Sequence, residues 1–323
     1  MKFMRIFGIT LSIIMLVVII IMVGLWINHN RLVRNESERF PPPGNIVEVN
    51  DNELHVYSQG EGDLTLVFLA GHGTSNPMLD FKPLWNRLVD DYRIAVVERS
   101  GYGWSETSSN PRDIETILEE TRNALNLSAI NGPYILIPHS MSGLEAIYWA
   151  QQYPDEVKAI IGLDPLTPES FDVIPAPQNS QLYFMFLISR IGLSRMIPES
   201  EIGDQLPLMD SDELTKQEKE QYMGVFYKSA FTRDMLREVQ FLEENVKTVA
   251  QNEPPVNTPM FFFISDDQDV NVTGWMQALT DYLEQLEIGE FMQLDAGHYL
   301  HYEKADLIAE VTKSFIDQIT QID

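Results

Sequence analysis

Residues 134–143, Tyr-Ile-Leu-Ile-Pro-His-Ser-Met-Ser-Gly, decide how this chain is organised. An apolar run that is typical of a buried strand ends at His139, and a segment of helical periodicity begins at Met141. Ser140 therefore lies at a sharp turn between a strand and a helix, near the positive end of the helix. A hydroxyl held there is exposed for attack on an acyl carbon. A serine that merely caps the helix would show the same local pattern, so the rest of the chain must distinguish the two.

Apolar runs alternate with helix-period segments through most of the chain. Six runs predict strands, and they are Leu64–Ala70, Arg93–Glu98, Tyr134–His139, Val157–Asp164, Pro259–Ser265 and Phe291–Asp295. A hairpin over residues 46–60 precedes them. Because several runs are apolar throughout, helices should cover both faces of a parallel sheet. The alternation predicts an α/β protein with a doubly wound sheet.

The alternation stops between residues 165 and 255, where the sequence shows no convincing strand. Apolar and amphipathic segments occur there instead, such as Leu182–Leu193 and Met223–Leu242. Since the strand pattern resumes at Pro259, we expect a helical insertion over the carboxyl edge of the sheet rather than a second domain.

In an open α/β sheet the active site lies beyond the carboxyl ends of the strands. Gly71-His72-Gly73-Thr74 follows the first run of the sheet, and its small residues let backbone N–H groups point at a developing oxyanion. Strand length favours the N–H of His72 as one donor, whereas an alternative alignment of the motif selects Thr74. The N–H of Met141, directly after the serine, would be the second donor.

A serine hydroxyl needs a base to take its proton, and the base needs an acid to orient it. His298 follows the last predicted strand, from where its imidazole could reach Ser140. Asp269 lies furthest along the acidic loop after the fifth run and is the preferred acid, with Asp266 and Asp267 as alternatives. These residues occur in the order serine, acid, histidine, each just past a strand.

The N-terminal segment predicts a membrane anchor. Ile6–Ile27 is uncharged and almost wholly apolar, and it exceeds the roughly 20 residues that a helix needs to cross a bilayer. No small-x-small cleavage site follows, so we expect an uncleaved anchor over residues 1–28. The flanking basic residues slightly favour a cytoplasmic amino terminus, which places the catalytic domain outside the cytoplasm. Residues 29–45 are polar and end in three prolines and a glycine, which predicts a semi-stiff linker to a domain at 46–323.

Composition excludes several functions. The net charge of −26 makes the chain a poor binder of nucleic acid. The chain has no cysteine, which excludes disulfides, thiol catalysis and cysteine metal ligands. His298 and His301 could form a metal pair, but no carboxylate–histidine cluster completes such a site, so we predict no metal.

Four motifs together resemble the α/β-hydrolase superfamily over roughly residues 46–323. They are Leu69-Ala70-Gly71-His72-Gly73, Arg99-Ser100-Gly101-Tyr102-Gly103-Trp104-Ser105, His139-Ser140-Met141-Ser142-Gly143 and Gly297-His298. The resemblance implies a mostly parallel eight-stranded sheet, a helical cap between strands six and seven, and a triad of Ser140, His298 and Asp269. It also implies an alternative acid, Asp164, at the end of the sixth strand. The sequence departs from the usual Gly-x-Ser-x-Gly elbow, because Pro138 and Ser142 replace the outer glycines.

The residues and the resemblance together predict a membrane-anchored serine hydrolase that cleaves a carboxylic ester of a small acyl substrate through an acyl-enzyme, without a cofactor. It would be a carboxylesterase or lipase-like enzyme. One alternative is an aminopeptidase or amidase with the same triad, in which Glu199, Glu201 and Asp204 would be candidates to bind an amino group. Another is a non-catalytic small-molecule receptor on the same fold. A serine rather than an aspartate nucleophile argues against dehalogenase and epoxide hydrolase chemistry.

Overall fold

An eight-stranded sheet organises the fold in a computed structural model that describes residues 2–174, 179–198, 202, 206–266 and 273–321. The strands are β1 (Asn45–Val49), β2 (Asn52–Gln59), β3 (Thr65–Leu69), β4 (Arg93–Glu98), β5 (Tyr134–Pro138), β6 (Val157–Leu163), β7 (Met260–Ile264) and β8 (Gly289–Gln293). Their order in the sheet is β1-β2-β4-β3-β5-β6-β7-β8. Only the β1–β2 and β2–β4 pairings of this sheet are antiparallel, so the mostly parallel α/β-hydrolase sheet expected from the sequence is confirmed.

The central strands are buried on both faces. Every residue of β3, β5 and β7 is buried, as expected where helices cover both sides of a parallel sheet. The last strand is the exception. It runs over Gly289–Gln293 rather than the predicted Phe291–Asp295, because it lies at the sheet edge and its alternating half-exposed residues give only a weak apolar signal.

Helices cover the two faces of the sheet, build the cap and form the N-terminal segment. They are α1 (Lys2–Arg39), α2 (Pro77–Asp80), α3 (Lys82–Trp85), α4 (Ile114–Leu127), α5 (Ser142–Gln152), α6 (Pro168–Phe171), α7 (Asn179–Ile191), α8 (Lys216–Ser229), α9 (Arg233–Gln251), α10 (Trp275–Leu283), α11 (Leu300–Glu303) and α12 (Ala305–Thr320). The apolar residues of α4 that recur at spacings of three and four are buried, and Asp113 caps this helix by accepting a hydrogen bond from the N–H of Thr116.

The insertion between β6 and β7 carries helices α6 to α9 and forms the cap. The single helical segment predicted over Met223–Leu242 is divided into α8 and α9. The break falls at Phe231, which has a φ of +51°, and at Thr232, whose side chain accepts from the N–H of Met235 and starts α9. The cap is bonded to the body, since the buried Tyr222 hydroxyl on α8 donates to Asp80 on α2.

Residues 29–45 do not form the predicted linker, because α1 continues without interruption to Arg39. His29 and Phe40 are buried, and both Glu36 carboxylate oxygens accept hydrogen bonds from Arg195 of the cap, at 2.7 and 2.6 Å. Spacings of seven and four place His29, Glu36 and the adjoining Phe40 on one side of the helix. The polar half of α1 therefore packs against the cap, while its apolar half is long and apolar enough to cross a membrane.

Candidate active site

Ser140 lies at the turn between β5 and α5, at the carboxyl end of the sheet. Its φ is +54°, a strained value for a residue with a Cβ. Ser142 stabilises the turn, because its hydroxyl donates to the Leu69 carbonyl at 2.7 Å and accepts from the His139 N–H at 3.0 Å. Gly143 is required next to it, since an added Cβ would lie 2.4 Å from the Leu166 carbonyl oxygen. The elbow forms although the outer glycines of the usual motif are replaced.

His298 connects Ser140 to a buried carboxylate. Its Nε2 lies 2.9 Å from the Ser140 hydroxyl oxygen, and its Nδ1 lies 2.6 Å from Oδ2 of Asp164. A carboxylate can only accept, so Nδ1 carries the proton and Nε2 is free to accept the proton of Ser140. The Asp164 side chain is fully buried and that of His298 is 27% exposed. The arrangement is that of a hydroxyl, a base and an orienting acid.

The carboxylate bonded to His298 is that of Asp164, the alternative acid that the family resemblance implies. Asp269 and Asp267 lie outside the described residues, and Asp266 contributes a backbone N–H that donates to the Ala296 carbonyl. Asp164 directly follows β6, where its φ of +49° turns the chain away from the strand.

Three further donors hold the Asp164 carboxylate in place. Ser265 donates from its N–H at 3.0 Å and from its hydroxyl at 2.9 Å, and the indole N–H of Trp275 donates at 2.8 Å. With His298 as the fourth donor, each carboxylate oxygen accepts two hydrogen bonds. These four hydrogen bonds fix the orientation of the buried carboxylate towards His298.

Two more imidazoles pack behind His298. The ring centroid of His139 lies 4.7 Å from that of His298 and 4.8 Å from that of His301. Burial and the neighbouring imidazoles lower the pKa of His139 well below its usual value, and burial and His298 lower the pKa of His301 to about 3. Both rings therefore stay neutral, and His139 bonds through Nε2 to the His298 carbonyl at 3.1 Å. The described residues contain no group of three His, Asp or Glu side chains placed to bind a metal ion.

The Gly71–His72 segment lies against the elbow. A Cβ added to Gly71 would lie 2.9 Å from the Cβ of Ser140 and 2.8 Å from Nδ1 of His139. This close approach brings the backbone that leads into His72 beside the serine, while Thr74 lies two residues further and is buried. Met141 immediately precedes α5, where the N–H groups of the first helical turn have no partner within the helix.

A buried charged cluster supports this segment, and the sequence analysis missed its central member, Glu238 of α9. Arg99 donates to the Ala70 carbonyl at 2.7 Å and lies 3.7 Å from the carboxylates of both Glu238 and Glu145. The Tyr102 hydroxyl donates to Glu238. Burial alone would raise the pKa of Glu238, but the Arg99 charge holds it below its usual value. The signal in the sequence that could have found Glu238 is an acidic residue on the inner, apolar face of the amphipathic helix α9.

Comparison with known proteins agrees with this fold. The family model of the α/β hydrolase fold matches residues 66–186. The uncharacterized protein YbdG of Bacillus subtilis (strain 168) is 32% identical over 308 residues, which cover 94% of each chain. The 2-(acetamidomethylene)succinate hydrolase of Mesorhizobium japonicum is 29% identical over 143 residues, which cover 42% of this chain and 50% of that enzyme.

Among solved structures, epoxide hydrolase from Vigna radiata superimposes with a TM-score of 0.65 at 18% identity, covering 85% of this chain and 97% of the other. At this identity the similarity shows a common fold alone. The match to the family model, the match to YbdG over 94% of each chain and the sheet topology show that the chain belongs to the α/β-hydrolase superfamily. One of the relatives, which this chain matches over half of that protein's length, is named as a hydrolase.

Proposed function

We propose that this protein is a membrane-anchored serine hydrolase that cleaves carboxylic esters. The observation that carries the proposal is the continuous set of hydrogen bonds from Ser140 through His298 to Asp164, at 2.9 and 2.6 Å. Each distance is within the range required for proton transfer and for orientation of the base.

In the proposed acylation step, the Ser140 oxygen attacks the ester carbonyl carbon while its proton passes to Nε2 of His298. Asp164 stabilises the imidazolium cation that forms, without taking the proton. His298 then donates this proton to the departing alcohol, and the acyl group remains bound to the serine. A water molecule then loses a proton to His298 and attacks the acyl carbon. The bond from this carbon to the Ser140 oxygen breaks, His298 returns the proton to that oxygen, and the acid is released.

Backbone N–H groups of His72 and Met141 would hold the oxyanion. Support comes from the close packing of Gly71 on Ser140 and from the position of Met141 at the start of α5. Each such donor contributes about 3–4 kcal/mol to stabilising the transition state. Arg99 of the charged cluster fixes the backbone just before His72, because it bonds to the Ala70 carbonyl.

The proposal favours an ester over an N-terminal peptide as substrate. Glu238 is a buried carboxylate near the oxyanion segment, but the charge of Arg99 already compensates it, so it is a poor partner for a substrate amine. Glu199, Glu201 and Asp204, the candidates from the sequence, lie outside the described residues. A receptor without catalysis has no need for a buried acid bonded to a histidine that faces a strained serine.

The proposed location is the membrane, with the catalytic domain outside the cytoplasm. The apolar half of α1 is exposed along its length and satisfies the length and composition of a membrane-spanning helix. Burial of such a segment in a bilayer removes a large apolar surface from water. The uninterrupted continuation of α1 to the cap would hold the domain close to the bilayer.

Turnover by the full-length protein in detergent tests the proposal. We expect it to hydrolyse p-nitrophenyl esters and to leave aminoacyl p-nitroanilides intact, and Ser140→Ala should abolish ester hydrolysis. Preferential cleavage of the anilides would replace the esterase by an aminopeptidase. Binding of the esters without turnover would favour a receptor.

A further inference from the structure

Helix α7 and the turn after it expose an unusual amount of apolar surface. Five large apolar side chains, which we call the α7 face, are 43–69% exposed, and they are Tyr183, Phe184, Leu187, Met196 and Ile197. Residues 179–198 contain no Asp or Glu and two arginines, within a chain whose net charge is −26. This absence of carboxylates suits contact with an apolar or anionic surface.

The α7 face lies next to the end of the apolar span of α1. Helix α7 packs against α1, and Gly192, directly after α7, is so close to α1 that an added Cβ would lie 2.5 Å from the Cβ of His29. His29 follows Ile27, the last residue of the span, by only about 3 Å along the helix axis. The polar layer on each side of a bilayer is roughly 5–7 Å thick. In a bilayer that surrounds this span, the end of α7 would therefore lie at the depth of the lipid headgroups.

The attachment of the cap to α1 is firm enough to fix this depth. Arg195, in the turn that follows α7, makes two hydrogen bonds to Glu36 and donates to Nδ1 of His29 at 3.2 Å. Met22 and Leu25 lie within the apolar span on the same helix face as His29, and they are less exposed than their neighbours. The cap thus extends beside the span itself, so that a membrane around α1 must also meet α7.

An apolar cavity opens on the α7 face. It has a volume of about 190 Å³, and it is lined by Phe184 and Ile197 at the exposed side and by the buried Ile202 and Phe226 on the inner side. A cavity with these walls suits a hydrocarbon chain rather than a polar group.

We propose that the α7 face docks the cap on the bilayer and that the cavity beneath it receives the acyl chain of a membrane lipid. The proposal rests on the membrane anchor and the ester hydrolysis proposed above, and it specifies the substrate as a lipid-phase acyl ester. The occupant of the α7 face is the bilayer because the face continues the apolar surface of the anchoring helix.

Depth-dependent quenching of a fluorophore tests the docking directly. The chain has no cysteine, so Leu187→Cys and Phe291→Cys each create one site for a nitrobenzoxadiazole label on the full-length protein. The two side chains are 48% and 49% exposed, and Phe291 lies on β8 at the sheet edge opposite β1. In phosphatidylcholine nanodiscs with doxyl-labelled lipid, we expect at least about threefold stronger quenching at position 187, because a docked residue is buried several ångströms into the headgroup boundary. Equal quenching at the two positions would overturn the docking.

Hydrolysis of two esters tests the delivery of substrate. The double variant Leu187→Ser/Met196→Ser should lose about tenfold in hydrolysis of a long-chain ester embedded in vesicles, since two anchoring side chains are lost. Its hydrolysis of a short water-soluble ester should match that of the unmodified chain and of the Phe291→Ser control. An equal loss on both esters would overturn entry from the bilayer. The quenching result does not depend on turnover, so failure of the docking and failure of the hydrolase proposal are distinguishable.

Discussion

Exchange of Asp164 for asparagine is expected to reverse the protonation of His298. Oδ1 of Asp164 accepts from the Ser265 N–H and the Trp275 indole, and the amide oxygen of the introduced side chain would keep both bonds. The amide NH2 then replaces Oδ2 and donates to Nδ1 of His298. The histidine proton must move to Nε2, which faces Ser140 and can no longer accept its proton. The same exchange in another serine hydrolase costs about 10⁴ in kcat, equivalent to about 5.5 kcal/mol of transition-state stabilisation.

The assay is kcat for a soluble p-nitrophenyl ester, with Asp269→Asn as the matched control. We expect kcat to fall by about 10⁴ in Asp164→Asn and to stay close to that of the unmodified chain in Asp269→Asn. Because two of the four hydrogen bonds to residue 164 persist, the variant should fold, and its thermal midpoint checks this. The reasoning would be refuted if Asp269→Asn lost the activity and Asp164→Asn retained it.

Other contacts determine the outcome of three simpler experiments. Gly71→Ala should lower kcat about 10²–10³-fold, because its Cβ would press on Ser140 and displace an oxyanion donor, and an unchanged rate would contradict this packing. A chain that begins at Phe40 loses the hydrogen bonds between Glu36 and Arg195 of the cap. Its free energy of unfolding should be about 1–3 kcal/mol below that of a chain beginning at Asn28. Equal unfolding midpoints of the two chains in urea would contradict the packing of α1 on the cap. Burial raises the pKa of Asp80 to about 7, so the folded state binds an extra proton between about pH 4 and 7. The free energy of unfolding should therefore fall by roughly 3–5 kcal/mol as the pH rises through this window. Thermal melts of Asp80→Asn should lack this decrease of stability with pH.

The sequence was sufficient for the elements whose signals are local. The buried strands and the serine between β5 and α5 each follow from a few adjacent residues, and the structure has them where they were expected. The edge strand β8 was displaced by two residues because a half-exposed strand has little apolar pattern. The absence of strand pattern between residues 165 and 255 predicted a helical insertion, and the family resemblance identified it as a cap between strands six and seven.

The choice of acid could not be made from the sequence, because both Asp164 and Asp269 follow a predicted strand. Asp164 is held beside His298 by the direction in which the chain turns after β6 and by the donors from Ser265 and Trp275, and these depend on tertiary packing. The cap contact of α1 was missed for a similar reason. Residues 29–39 look like a polar linker until the partner of Glu36, which is Arg195 in the cap, is known.

The most direct measurement is the site of covalent modification by a fluorophosphonate probe on the full-length protein in detergent. Peptide mass spectrometry should place the adduct on Ser140, and both Ser140→Ala and His298→Ala should show no labelling, because the hydroxyl reacts only when the imidazole accepts its proton. An adduct on a different residue, or labelling that persists in Ser140→Ala, would contradict the assignment of Ser140 as the nucleophile.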